Sequence, residues 1–164
     1  MTKTALMTVT LCVCTWICIP GPVPFTLQTF AVFAAAELLG GRMAFRAVSA
    51  YLVMGAVGLP VFSGMTGGLG VLLGPTGGYL WGFLLIPLTV WLAERFGSRQ
   101  GFRLAAHLTG LALCYGVGSA WYAVTGGVGL AAALLVCVVP FVVPDLVKLA
   151  LALMLGRALR RHIR

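Results

Sequence analysis

The chain has 164 residues, of which 61% are hydrophobic and only 9% are charged, with a mean hydropathy of +1.08. A water-soluble domain carries about 25% charged residues and could not bury this much apolar surface, so composition excludes a soluble fold. The net charge of +8 does not indicate a nucleic-acid partner, because the arginines lie between apolar segments and at the C-terminus, without interleaved aromatic residues. We therefore expect one all-α integral membrane domain over residues 1–164, with lipid as its solvent.

Six membrane-spanning segments are predicted in chain order, each bounded by glycine, proline or charged clusters. The first covers residues 5–19 and is interpreted as a membrane helix, since no signal-peptide cleavage site precedes PGPVP. The next four cover residues 27–39, 43–57, 78–93 and 104–124. The sixth stretch, 130–159, contains Pro140 and Pro144, so we expect a helical piece before Pro140 and a final helix starting at Pro144.

The distribution of basic residues predicts how these segments are oriented in the membrane. The three connections on one side, PGPVPFT, residues 58–77 and TGGVG, contain no Lys or Arg. All the basic residues except Lys148 fall on the other side: Lys3, Arg42, Arg46, Arg95, Arg99, Arg103, Arg157, Arg160, Arg161 and Arg164. Short loops rich in Lys and Arg stay in the cytoplasm. Both termini are therefore predicted to be cytoplasmic.

A long glycine-rich loop on the outer side separates the third and fourth segments. Residues 58–79 read GLPVFSGMTGGLGVLLGPTGGY and contain no charged residue. Non-helical backbone at membrane depth is tolerated only where it is buried in protein or lines a cavity, and glycine allows close backbone approach. The composition fits either a lid over a small, largely apolar ligand or a tight plug between helices.

An acidic and a basic residue lie within the last apolar segment, in PFVVPDLVKLAL. Asp145 is expected in the first turn of the final helix, where negative charge is favourable, and Lys148 follows three residues later on the same face. Ionisable groups inside membrane segments usually mark a function. The pair either neutralises itself or binds a polar ligand group such as a urea, although an amide or a zwitterion would fit equally well.

The remaining polar residues predict no chemistry. Glu37 and Glu94 are expected in surface pairs or a subunit contact at cytoplasmic ends, and His107 and His162 lack partners for metal or acid–base work. The five cysteines are interpreted as small buried apolar side chains. No catalytic motif or nucleotide-binding loop occurs. We expect neither an enzyme nor a metal or cofactor site, and any uphill transport would take its energy from another subunit or a gradient.

Three stretches together resemble the BioY family, the biotin-specific substrate-binding (S) subunits of energy-coupling factor (ECF) transporters. They are VPFTLQTFAVFAAAELLG, YLVMGAVGLPVFSGMTGGLGVLLGPTGGYLWGF and VPFVVPDLVKLAL, and the likeness runs over residues 22–151. The resemblance implies a six-helix bundle in a bacterial or archaeal cytoplasmic membrane. It further implies that this bundle captures biotin from outside with high affinity, under a lid formed by the loop after helix 1 and the long loop before helix 4.

The resemblance also implies partners. Family members commonly join a transmembrane coupling (T) subunit and two ATPases, within which the S subunit topples to release its substrate inside, and some work without them. A homo-oligomer is an alternative assembly, membrane lipid is the surrounding partner, and no nucleic acid is expected. Two further readings stay open: transport of another vitamin or a biotin precursor, and an intramembrane enzyme that uses Asp145 as an acid or base.

Site residues are carried over from the family motifs. Asp145 and Lys148 are implied to contact the ureido ring, with Gln28 and Tyr79 in the pocket and with Phe62 and Tyr51 as walls for the thioether ring and valeryl chain. Four glycines are implied to let backbone pack near the ligand: Gly67, Gly68, Gly77 and Gly78. Thr66 stands where some relatives carry a basic residue. This leaves Lys148, or backbone amides with Gln28 and Tyr79, to meet the biotin carboxylate.

Overall fold

The structure is a computed structural model that describes residues 2–21, 23–97 and 100–160, without the side chains of Gln100 and Arg160. The first part comprises α1 (Thr2–Trp16), β1 (Cys18–Ile19), β2 (Phe25–Thr26), α2 (Gln28–Leu39) and α3 (Gly41–Ala56). The second part comprises a 3₁₀ turn (Ser63–Met65), α4 (Leu69–Leu73), α5 (Gly77–Gly82), α6 (Leu85–Glu94), α7 (Gln100–Gly126), α8 (Leu130–Cys137) and α9 (Val139–Arg160). Predictions made for Pro22, Arg99, Arg161, His162 and Arg164 lie outside the described residues.

Two helical stretches are long and apolar enough to cross a membrane by length and composition. They are Gly77–Glu94, which joins α5 to α6, and Val139–Leu159 within α9. A third apolar helix, Gln28–Leu39, is shorter. The chain is therefore mostly helical with at least two candidate spans, while six spans and cytoplasmic termini remain predictions.

The surface of the described chain carries many large apolar side chains. Leu11, Phe33 and Ile86 are completely buried, while Leu6 and Val143 are each 69% exposed. Large exposed apolar side chains occur on most of the long helices, which in water would favour aggregation. Such a surface fits lipid as the solvent.

Polar contacts gather several helix ends at one end of the bundle. The backbone N–H of Gly41, at the start of α3, donates to the Glu94 carboxylate at the end of α6, with N···O distances of 3.2 Å. Arg103, near the start of α7, binds Glu37 of α2 at 3.1 Å, and Glu37 packs against Gly156 of α9. The ends of α2, α3, α6, α7 and α9 that the sequence predicts to be cytoplasmic therefore lie close together.

The glycine-rich segment, residues 57–76, lies at the opposite end and folds onto the protein. The indole N–H groups of Trp16 at the end of α1 and Trp121 of α7 each donate to its backbone, at Pro60 O and Gly74 O, both at 2.9 Å. Phe62 of this segment is 1% exposed. It also contains the 3₁₀ turn and α4, so it is more structured than the loop predicted from its composition.

The first predicted segment ends earlier than expected. Helix α1 stops at Trp16, and Cys18–Ile19 pairs antiparallel with Phe25–Thr26 in a short hairpin. Prolines fix φ and lack an N–H donor, so they favour such a turn and end the helix before it.

The final helix does not begin at Pro144, as the sequence predicted. It begins at Val139, where the N–H of Phe141 donates to Val138 O at 2.8 Å, and Pro140 occupies its first turn. Proline is tolerated there because its missing N–H has no partner within the helix. Pro144 lies inside the helix, so Asp145 sits in the second turn. Asp145 is thus not held by the first-turn amides, and other side chains satisfy it.

Candidate functional site

A cavity lies between α2, α5, α7 and α9 and is bordered by the hairpin and the glycine-rich segment. Its empty space measures about 720 Å³, including the part that opens to solvent at the mouth. Five predicted site residues line it: Gln28, Phe62, Tyr79, Asp145 and Lys148. The other described lining residues are uncharged, and most are apolar: Val23, Pro24, Thr26, Thr29, Ser63, Val71, Thr76, Leu80, Phe83, Leu111, Cys114, Tyr115, Cys137 and Phe141.

The charged groups of the cavity form one buried cluster on α9 and α7. Lys148 Nζ donates to Asp145 Oδ1 at 2.8 Å, and the two side chains are only 7% and 5% exposed. The Tyr115 hydroxyl donates to Asp145 Oδ2 at 2.7 Å. The i, i+3 spacing predicted that Asp145 and Lys148 share a helix face, and the geometry agrees.

An aromatic ring covers one side of the Lys148 ammonium group. Lys148 Nζ lies 4.2 Å from the centroid of the Phe25 ring, a cation–π contact, and Phe25 stacks on Phe141 with centroids 6.1 Å apart. The ammonium group has three donors, of which Asp145 takes one, and each carboxylate oxygen has a second lone pair. The cluster can therefore donate to and accept from one neutral ligand group.

Tyr51 does not line the cavity, contrary to its predicted role as a wall. Its hydroxyl accepts from Gln28 Nε2 at 2.9 Å and lies 3.3 Å from Thr15 Oγ1, while its ring meets Phe62 edge-on, with centroids 5.4 Å apart. Tyr51 is 1% exposed. It lies behind Gln28 and Phe62 and fixes their positions.

Tyr79 lines the cavity with its hydroxyl already engaged. Its oxygen lies 2.9 Å from Ser119 Oγ of α7, and its ring fits against Gly118, where an added Cβ would clash. The ring is thereby held between α5 and α7 as part of the cavity wall.

The four predicted glycines lie outside the cavity lining. A Cβ added at Gly67 or Gly77 would collide with the backbone carbonyl of Leu59 or Leu72, and one at Gly78 with the side chain of Trp121. Gly68 has φ +98°, which favours glycine. Gly67, Gly77 and Gly78 therefore pack the protein against itself, and the placement of the four glycines near a ligand stays a prediction.

Several cavity residues were missed by the sequence analysis. Tyr115 is one of two tyrosines in its apolar segment. A buried tyrosine hydroxyl usually has a partner, so the residue pointed to a polar contact without identifying the partner. Phe25, which packs on the Lys148 ammonium group without lining the cavity, lies in the VPFTLQ stretch and carries no polar signal. Cys114 and Cys137 are buried, as expected of apolar cysteines, and both line the cavity.

A second buried ionic cluster lies at the other end of the bundle, away from the cavity lining. Arg103 Nε donates to Glu37 Oε1 at 3.1 Å, and the side chains are 12% and 6% exposed. His107 is fully buried, with Nδ1 2.8 Å from Arg103 O and 3.9 Å from Glu37 Oε1. The prediction of a surface role for Glu37 is therefore wrong, because helix packing encloses it between α2, α7 and α9.

Among the described residues, no three His, Cys, Asp or Glu side chains are grouped to hold a metal ion, and the cysteines there are free thiols.

The chain is similar over nearly its whole length to known transport proteins. A family model described as "BioY family" matches residues 1–164. The Biotin transporter BioY of Thermotoga maritima is 40% identical over 161 residues, covering 97% of this chain and 94% of its own. The Probable biotin transporter BioY of Pyrococcus horikoshii is 40% identical over 140 residues, covering 85% and 82%. A crystal structure of the S-component for biotin from an ECF-type ABC transporter superposes with a TM-score of 0.88 at 30% identity, covering 98% of this chain and 89% of that one.

Proposed function

The chain belongs to the BioY family, and on that basis we propose that it is a non-enzymatic membrane subunit that captures biotin for uptake. It would serve as the S component of an ECF-type ABC transporter. The observation that carries the proposal is the buried Asp145–Lys148 pair on the wall of a mostly apolar cavity.

The geometry of the pair suits the ureido ring of biotin. A ureido group presents a C=O acceptor beside an N–H donor, and Lys148 and Asp145 offer a donor and an acceptor side by side. The unused N–H donors of Lys148 and the unused lone pairs of Asp145 belong to buried side chains. Hydrogen bonds to a ligand are stronger in such a buried environment than in water. We propose that Asp145 and Lys148 bind this ring directly.

The rest of the cavity suits the apolar body of biotin. Small-ligand sites are mostly apolar with a few placed polar groups. We propose that Phe62 and Tyr79 contact the thioether ring and valeryl chain, and that Gln28 supplies a polar contact held in place by Tyr51.

We propose six spans with both termini in the cytoplasm: α1, α2, α3, α5 with α6, α7, and α9. Supporting this, basic residues flank the end where α2, α3, α6, α7 and α9 meet, while the glycine-rich segment lies at the opposite end. On the positive-inside rule the cavity mouth then faces outward. The hairpin and residues 57–76 would act as its lid.

Coupling to transport would require further subunits. With no nucleotide-binding motif in the sequence, ATP hydrolysis would come from two ATPases joined through a transmembrane coupling subunit. Co-purification of the tagged chain from its native membrane tests this, and recovery of the chain alone or as a homo-oligomer would argue against an obligatory complex.

The binding proposal is tested by titrating the purified, reconstituted chain with biotin, desthiobiotin, thiamine and riboflavin. We expect saturable binding of biotin and none of thiamine or riboflavin. Preference for desthiobiotin would reassign the cargo to a precursor, and absence of biotin binding would contradict the proposal. Turnover of a substrate that Asp145→Asn abolishes would instead favour the enzymatic alternative.

A further inference from the structure

The cavity contains as many negative as positive charges. Among the described lining residues, Asp145 and Lys148 are the ones with a formal charge, and they are paired with each other at 2.8 Å. The outer connections of the sequence, residues 20–26, 58–77 and 125–129, contain no Lys or Arg. Biotin, in contrast, has a carboxylate at the end of its valeryl tail, so it would bring one unmatched negative charge to a neutral cavity.

Lys148 is poorly placed to accept that carboxylate. Its Nζ already binds Asp145 Oδ1, and the Phe25 ring covers a further side of the ammonium group at 4.2 Å. A second carboxylate in contact with Nζ would lie close to that of Asp145, and like charges so near each other in a buried site repel strongly. The pair therefore favours a neutral hydrogen-bonding group over an anion.

The other polar groups of the cavity offer no replacement cation. The Tyr115 hydroxyl donates to Asp145, and the Tyr79 hydroxyl is engaged with Ser119. Ser63 and Thr76 are hydroxyl residues on the glycine-rich segment, and both remain partly exposed, whereas Asp145 and Lys148 are buried. The cavity thus runs from a partly exposed, uncharged mouth to a buried ion pair.

Resting on the proposed function, we propose that the cavity recognises only the uncharged part of biotin. The ureido ring binds at the Asp145–Lys148 end, and the tail carboxylate stays in water at the mouth beside Ser63 and Thr76. The charge of the tail then contributes almost nothing to affinity. Biotin derivatives with neutral tails, such as biotinamide and biotin methyl ester, become ligands of the same site.

The test compares biotin with biotinamide by equilibrium titration of the intact reconstituted protein. A buried cation that held the carboxylate would make biotin bind about 10- to 100-fold more tightly than the amide, since hydrogen bonds to charged groups have that strength. We expect dissociation constants that differ by less than about tenfold. A larger preference for biotin overturns this inference alone, and failure of both ligands to bind overturns the proposed function and this inference with it.

A variant pair makes the test independent of the parent's absolute affinity. Ser63→Lys adds a cation at the partly exposed mouth, and Ser63→Gln adds similar length without charge. We expect Ser63→Lys to prefer biotin over biotinamide, by about tenfold at low salt, and to lose that preference as salt screens the exposed charge. Ser63→Gln should treat the two ligands as the parent does. A Ser63→Lys protein that binds without gaining the preference overturns the placement of the tail at the mouth.

Discussion

The protein buries two ionic clusters to nearly the same extent, and they differ in what lies beside them. In the cavity cluster, Asp145 and Lys148 are 5% and 7% exposed; in the packed cluster, Glu37 and Arg103 are 6% and 12% exposed. The first lines a cavity, while helices and the buried His107 surround the second. Burial of charge alone therefore does not identify a binding site, and the adjoining empty space distinguishes the two.

The comparison leads us to expect that the cavity cluster controls affinity and the packed cluster controls stability. Removing one partner of either pair takes a counter-charge away from a buried group, which is costly in both places. At the cavity cluster, however, we propose that the same groups also bind the ligand.

Asp145→Asn and Lys148→Ala should each weaken biotin binding most. Each removes a ligand contact and leaves a buried group unpaired, which costs about 1–3 kcal/mol and more for a charged group, so affinity should fall at least about tenfold. Titration of folded, monodisperse protein measures this. Parent-like affinity in either variant would remove that residue from the ligand contacts.

Glu37→Gln should lower thermal stability while leaving biotin affinity within about threefold of the parent. It removes the carboxylate that binds Arg103 at 3.1 Å, at an expected cost of about 1–3 kcal/mol. Glu94→Gln changes an exposed residue at the same end of the bundle and is the matched control. It should lower thermal stability less than Glu37→Gln does. A large loss of affinity in Glu37→Gln with unchanged stability would break the proposed division between the clusters.

Tyr115→Phe should weaken biotin binding by about tenfold, less than loss of either charged residue. The hydroxyl donates to Asp145 Oδ2 at 2.7 Å and holds the carboxylate in its orientation toward Lys148. Tyr122→Phe, on the same helix but outside the cavity lining, is the control. If both variants bind like the parent, Tyr115 has only a packing role.

Gly156→Ala should have the smallest effect, a slight loss of stability with no change in affinity. An added Cβ would lie 3.1 Å from Glu37 Cβ and Oε2, so the packed cluster must shift by a few tenths of an ångström. Gly101→Ala, whose Cβ would meet open space, is the control. Melting curves of both variants, with and without biotin, measure their stability and their biotin binding. A change in biotin affinity specific to Gly156→Ala would show that the clusters are coupled.

The sequence predicted the local parts of this arrangement and missed those that depend on packing between distant segments. Asp145 and Lys148 were placed on one face because they are three residues apart in a helix. Tyr115 lies 30 residues from Asp145, and Arg103 lies 66 residues from Glu37, so neither partner follows from spacing.

The helix ends and the glycines likewise show that local sequence does not predict packing between distant segments. The proline rule favoured a helix start at Pro144. The helix begins instead at Val139, with Pro140 in its first turn, where the same rule is satisfied. Glycines at 67, 77 and 78 were recognised as sites of close approach, yet composition does not specify whether a ligand or the protein's own backbone is the neighbour. Only the packed structure shows that the close neighbours of these glycines are Leu59, Leu72 and Trp121.

A structure of the protein with biotin bound tests the central claim most directly. The account predicts the ureido ring within hydrogen-bond distance, about 2.7–3.2 Å, of both the Asp145 carboxylate and Lys148 Nζ. Biotin bound elsewhere, or bound in the cavity with its ureido ring away from both groups, would contradict it.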